Sequence, residues 1–354
     1  MSKFMVLNKA DKQEIIRHLV SQVKNEDFSP SILLFCLTNR CQLNCRYCDM
    51  GRILPVREMS LSTLKRGIDL LSTSKTNVIT FQISGGEPLL KWDLMKKGVE
   101  YFREKTKKLD KIKEVSLTTN GLLLTAEKID FFKKKKVDFD VVFAFDGEKN
   151  SQNLNRPAFQ KKLIQNYSDI ILKNLDGLIA LGTDFVVNMV VRPENLADLE
   201  ENVDLLVKRG VKSLIVSYAM SIFWKEKDIE NFFSVVSKLF FKYKNLLLGS
   251  EHCEVDEPMI TSCALTLTPE EEIVVGPTYP LLKFFPHIKE INSYGRLNDY
   301  QNFSQIKRNK RKEINKSLEI LSRKDDREFF LWANNIYMGI LYRNLFRKLE
   351  NKIK

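Results

Sequence analysis

An α/β fold, a partial (β/α)6 TIM-like barrel with a small α+β extension and terminal helices, is what this sequence predicts. Three observations predict it. Six short apolar, β-rich runs recur from residue 31 onward, longer helical stretches separate them, and the chemically unusual residues fall directly after the runs. Such alternation indicates a parallel sheet covered by helices, and right-handed crossovers curl six units into an open or partial barrel. Ligands of such barrels gather at the C-terminal ends of the strands.

The elements follow in order. Residues 1–30 read as one amphipathic helix, with Ile15, Ile16, Leu19, Val20 and Val23 on a face, ending before "FSP". The runs are 32–37, 78–83, 114–118, 140–145, 184–191 and 213–218, all near-continuously apolar. Helices are expected at 61–74, 92–108, 127–136, 159–181 and 196–209. The organisation predicted is an N-terminal helix (1–30), a barrel core (31–244), a small domain (245–313) and a basic helical segment (314–354).

Composition narrows the class. The 354 residues are 44% hydrophobic and 29% charged, ordinary for a globular chain with a sizeable core. The net charge of +12 is uneven: residues 301–354 carry +8, leaving about +4 on the rest. A uniformly basic nucleic-acid binder would look different, so nucleic acid is not the expected partner. No apolar run reaches the length of a membrane span, and no apolar h-region marks an export signal. A reducing cytoplasm is therefore expected, where clustered cysteines serve metals or catalysis rather than disulfides.

Four of the six cysteines lie in "CLTNRCQLNCRYC", directly after the first run. Cys41, Cys45 and Cys48 on one loop can hold three corners of a cubane cluster and leave one iron open. The alternative is zinc with Cys36 as fourth ligand, but Cys36 lies inside the apolar run, where a free cysteine behaves as a small hydrophobe. "GGEP" (Gly85, Gly86, Glu87, Pro88) follows the second run. Its glycines permit close backbone approach, Glu87 offers a carboxylate, and Pro88 stiffens the exit. "TTNG" with Asn120 follows the third run, Asp146 and Gly147 the fourth, and "VRPEN" with Arg192 the fifth.

The Cys41-x3-Cys45-x2-Cys48 spacing, with Tyr47 before the last cysteine and "GGEP" after the second strand, resembles the radical S-adenosylmethionine (radical SAM) superfamily. The resemblance implies one [4Fe–4S] cluster on the three cysteines and SAM as second cofactor. It implies an electron passed to the SAM sulfonium, and a 5′-deoxyadenosyl radical that abstracts a substrate hydrogen. It places the methionyl ammonium at Gly85–Pro88 and Tyr47 near the adenine. Arg156 matches an arginine for the SAM carboxylate, although Ala144 replaces an expected serine. Asn120 has two readings, ribose contact or turn former. Asn188 likewise has two, SAM contact or satisfied core asparagine. A flavodoxin- or ferredoxin-type electron donor is implied.

The C-terminal third is similar to the SPASM or Twitch extension of the peptide-modifying branch, in degenerate form. Cys263 sits at the first cysteine of a predicted hairpin (263–285), and its partner position is near Gly276. Cys253 and Cys263 cannot supply a second four-cysteine cluster. Each reads as a buried hydrophobe, a hydrogen-atom donor or a relic ligand, and His252 lacks a paired ligand. The predicted function is post-translational modification of a ribosomally made peptide, such as crosslinking or epimerisation. The alternatives are a small metabolite or sugar, tRNA, or a non-catalytic Fe–S or zinc module.

Overall fold

The computed structural model describes residues 11–134, 138–159, 167–243, 246–248 and 258–351. Helix α1 (Lys12–Ser21) starts at Asp11, whose carboxylate accepts from the Gln13 N–H at 3.1 Å, and it stops at Ser21 rather than running to residue 30.

The barrel strands are β1 (Ile32–Cys36), β2 (Val78–Ser84), β3 (Ile112–Thr119), β4 (Asp138–Ala144), β5 (Phe185–Val191) and β6 (Ser213–Tyr218). They pair in parallel in sequential order. Helices α2 (Leu61–Ser72), α3 (Trp92–Thr106), α4 (Ala126–Lys134), α5 (Lys149–Asn155), α6 (Tyr167–Ala180) and α7 (Leu199–Arg209) make the crossovers. After β6 come α8 (Glu226–Lys242) and the two-residue β7 (Leu247–Leu248). Two helices were not foreseen. The polar α5 falls in "KNSQNLN", where no apolar stripe announces it. The amphipathic α8 was passed over in the sequence.

The strands are not apolar on both faces, as their composition suggested. Burial alternates, and the apolar positions face the helices: Leu33, Phe35, Phe81, Val115, Leu117, Val187 and Met189 belong to one core. The opposite face is mixed, with Leu34, Val142, Val186 and Ile215 beside hydrogen-bonded polar residues. Thr80 Oγ1 donates to Glu114 at 2.8 Å, Ser116 Oγ to Asp140 at 3.1 Å, and Ser217 Oγ to Asn188 at 2.8 Å. A lining of this kind suits a ligand rather than a dry core.

Beyond β1 the sheet continues. β8 (Leu265–Leu267) pairs in parallel with β1. It forms the expected hairpin with β9 (Glu272–Val275), and β10 (Ser293–Arg296) adds antiparallel to β9 after the short α9 (Ile288–Asn292). α10 (Lys310–Lys324) and α11 (Asp326–Glu350) make up the expected helical segment, which begins a few residues earlier than residue 314. They bury Ile314, Leu318, Phe329, Trp332 and Ile336 against Ile15, Ile16 and Leu19 of α1 in a second core. Among the described residues no helix is long and apolar enough to cross a membrane.

Arg308 fastens these pieces. Its side chain is fully buried and meets Glu313 at 2.8 Å. It donates to the carbonyls of Ser262 (2.7 Å) and Cys263 (2.8 Å), and its guanidinium lies over the Phe28 ring. The Phe28 backbone pairs with that of Arg308. Removing one partner of a buried ion pair strands the other. Arg308→Ala should therefore destabilise the fold by about 3 kcal/mol or more, read as a lower urea midpoint.

Candidate functional site

The cysteine loop leaves β1 and lies across the C-terminal rim. Asn39 opens it: its Nδ2 donates to the Ile53 carbonyl at 2.9 Å, and its Oδ1 accepts from Arg57 N–H at 2.8 Å. Arg52 reaches back to the Asn44 side chain and donates to the carbonyl of Cys45 at 3.2 Å. The loop is also tied to distant chain. Asn44 N–H donates to Pro157 O (2.6 Å), Arg46 N–H to Asn155 O (2.8 Å) and Asp49 N–H to Pro280 O (2.8 Å).

Cys41, Cys45 and Cys48 are half-buried on this loop. Burial pushes the Cys41 thiol up to about 12, with the Glu87 charge and, less, the Cys48 charge adding to it; burial raises Cys45 and Cys48 as well. Among the described residues no group of three His, Cys, Asp or Glu is placed to hold a single metal ion. Three thiols on one loop suit an iron–sulfur cluster. Cys36 is fully buried with Met50, Val274 and Tyr279, as a hydrophobe would be.

The glycine turn lies directly under the loop. A Cβ on Gly85 would sit 2.4 Å from Thr38 O, and one on Gly86 would sit 2.1 Å from Arg40 O, so only glycine fits. The approach is sealed by Gly86 N–H to Thr38 O and Glu87 N–H to Arg40 O, both 2.7 Å. Gly85 also takes φ 128, which favours glycine. Pro88 starts a short 3₁₀ turn.

Glu87 does not present its carboxylate to the rim, as the sequence reading expected. It is fully buried. Its oxygens accept from Leu89 N–H (3.0 Å), Thr119 Oγ1 (2.9 Å) and Asn120 N–H (2.9 Å). Its role is to lock the "TTNG" turn to the "GGEP" turn. Asn120 is both turn former and neighbour of the sulfurs: Oδ1 accepts from Leu122 N–H at 3.0 Å, and Nδ2 reaches Cys41 Sγ at 3.7 Å.

Tyr47 and Arg156 meet beside the cysteine loop. Both converge on Asp146, which is fully buried. Tyr47 OH donates to Asp146 Oδ2 at 2.6 Å, and Arg156 Nε lies 2.9 Å from the same oxygen. Asp146 Oδ1 accepts from Val190 N–H at 2.9 Å, and the Arg156 guanidinium stacks over the Tyr47 ring. The arginine's charge is thus balanced by a buried carboxylate. Asn188 sits half-buried on the inner face with Ser217 as partner. Arg192 pairs with Glu194 at 2.9 Å. Cys263 is half-buried beside the Arg308 clasp, while His252 and Cys253 lie outside the described residues. Sequence reasoning missed Asn39, Arg52 and Pro280. Asn39 and Arg52 are within reach of the motif, but nothing local marks Pro280.

The family description "Radical SAM superfamily" matches residues 35–206. The uncharacterized protein MJ0907 of Methanocaldococcus jannaschii is 34% identical over 188 residues, covering 51% of this chain and 60% of that protein. A probable GTP 3′,8-cyclase of Methanococcus aeolicus is 29% identical over 198 residues, covering 52% and 58%. The match thus spans less than two thirds of the length of these relatives. Among solved structures, native anSMEcpe with bound AdoMet superposes with TM-score 0.66 at 16% identity, covering 91% of this chain and 100% of that one. Streptococcus suis SuiB bound to precursor peptide SuiA gives 0.51 at 14%, covering 74% and 62%. At such identities the likeness is one of fold.

Burial raises the Glu87 carboxyl from 4.5 to about 7. The folded chain therefore holds this proton more tightly than the unfolded one. The stability it contributes is full below about 4.5 and is lost as pH rises through about 7. Glu87→Gln cannot ionise. The melting temperature of the wild type, taken relative to this variant, should fall across that window and level off above it. A difference independent of pH would refute the assignment.

Proposed function

We propose, from the match of residues 35–206 to the radical SAM superfamily, that this chain cleaves S-adenosylmethionine reductively and abstracts hydrogen from a peptide substrate. Cys41, Cys45 and Cys48 would hold one [4Fe–4S] cluster, and residues 31–244 would form the reaction core with 245–313 as its extension. Together the cluster and SAM supply a one-electron reductant and a source of the 5′-deoxyadenosyl radical.

The observation that carries the reading is the cysteine loop bedded on the glycine turn at the C-terminal rim. The chain's own residues do the rest. Asn39 and Arg52 fix the loop so that three sulfurs project from it. Gly85 and Gly86 bring backbone within reach of a ligand beside those sulfurs. Asn120, Asn188 and Ser217 offer neutral polar contacts along the inner face. Thiols raised by burial must lose protons on ligation, so cluster binding releases protons. Thiol ligands also need reducing surroundings, which makes a cytoplasmic location part of the proposal.

A peptide substrate is favoured by the fold likeness over 91% of the chain to anSMEcpe, a protein also described with bound Cp18Cys peptide. The second reading, a nucleotide substrate, is favoured by the relatives named probable GTP 3′,8-cyclase.

The test is anaerobic reconstitution followed by iron and sulfide counting. 5′-Deoxyadenosine is then assayed with dithionite and SAM, with GTP or a candidate precursor peptide added. Cys45→Ala should abolish both cluster and SAM cleavage; full deoxyadenosine output from it would refute the site. Cys263→Ala should leave iron content unchanged, and a loss of about half would reveal a second cluster.

A further inference from the structure

A pocket of about 380 Å³ opens against the cysteine loop, lined by Cys41, Gly51, Ile53, Val56, Leu90 and Phe159 together with Arg40 and its neighbours. Its apolar rim is unusually exposed: Val56 is 47% open, Leu90 38% and Phe159 44%, with Leu54 beside them at 81%. Single exposed apolar residues are ordinary, but three lining one pocket, with Leu54 next in sequence to the lining Ile53, mark an interaction surface. Arg40 is exposed within it and has no carboxylate partner among the described residues. The nearby cations Arg57 and Lys91 are paired with Glu270 and Glu58.

We propose that this face docks an acidic one-electron carrier protein of the flavodoxin or ferredoxin kind. The inference rests on the radical SAM reading above and adds the place where the electron enters. Two facts select the occupant. The pocket wall is Cys41 itself, so a redox group seated here is separated from a cluster ligand by little more than a side chain. Moreover, the chain has no internal relay. Of its six cysteines, three belong to the loop and Cys36 is buried in β1, which leaves too few for a second four-thiolate cluster. An external carrier must therefore reach the first cluster directly. The step balances as one electron: the reduced carrier loses it and the oxidised cluster gains it. The unpaired Arg40 complements an acidic carrier, and the apolar rim supplies the desolvated centre of a small, transient interface.

The experiment begins with binding, which needs neither cluster nor SAM. Oxidised flavodoxin is titrated onto the full-length wild type, Arg40→Glu, Arg40→Lys and the double variant Leu54→Ser/Val56→Ser. The charge reversal and the double variant should each weaken binding by about tenfold, and Arg40→Lys should retain it. Added salt should weaken the wild type most. On the reconstituted proteins, cluster reduction by reduced flavodoxin, followed by absorbance, should slow in the same order, with the dithionite rate unchanged. Equal binding and equal reduction by flavodoxin across the set would overturn the proposal. So would an equal slowing with dithionite, which would place these residues in the cluster site. So would a change of oligomeric state in the double variant, which would make the face a contact between copies. Should the wild type bind flavodoxin yet release no deoxyadenosine with dithionite, the radical SAM reading would fail while the docking surface stood.

Discussion

Two stretches of backbone, 45 residues apart in sequence, approach so closely at the rim that no side chain fits between them. The carbonyls of Thr38 and Arg40 take the N–H groups of Gly86 and Glu87, and Gly85 and Gly86 contribute no Cβ to hold them apart. The rest of the site is arranged around this contact. It sets the height of the cysteine loop above β2. Through Glu87 it sets the position of the next turn, because the buried carboxylate accepts from Thr119 and Asn120 of β3's end. Three consecutive strand ends are thereby joined by backbone and one carboxylate, with no long side chain whose rotamer could slip.

A second frame sits across the rim. Asp146 gathers Tyr47 from the cysteine loop, Arg156 from beyond α5 and the Val190 N–H of β5. Buried ion pairs are weak sources of net stability but specify geometry well, because every alternative leaves a charge unpaired. Here the pairing couples the loop after β1 to the segment after β4 and to β5 itself.

Much of this was legible in the sequence, and the reasons differ by element. The six strands were, because apolar runs separated by helical periods leave little choice of topology. The cysteine loop and glycine turn were, because thiol chemistry and absent Cβ atoms each restrict the residue type. The direction of Glu87 was not. Whether a carboxylate faces ligand or is taken by three donors depends on where Thr119 and Asn120 stand, and they come from another strand. The fate of Arg156 was hidden for the same reason, since its partner is fixed by folding. Polar positions on the inner strand face were masked by the branched apolar residues between them. α5 carries no apolar stripe, and what holds it is polar, such as Ser151 on Asp198.

The strand that carries the cysteine loop has two neighbours of very different age. β2 follows within fifty residues, whereas β8 begins at Leu265. On a ribosome the second edge of β1 thus stays bare until more than two hundred further residues have been made, on the order of ten seconds or longer. An open parallel edge is a template for mispairing. Through that interval the loop also lacks its tether to Pro280, so the nascent barrel carries its thiols on an unfinished rim. Loading of iron before translation ends would meet a looser ligand set than the completed chain offers.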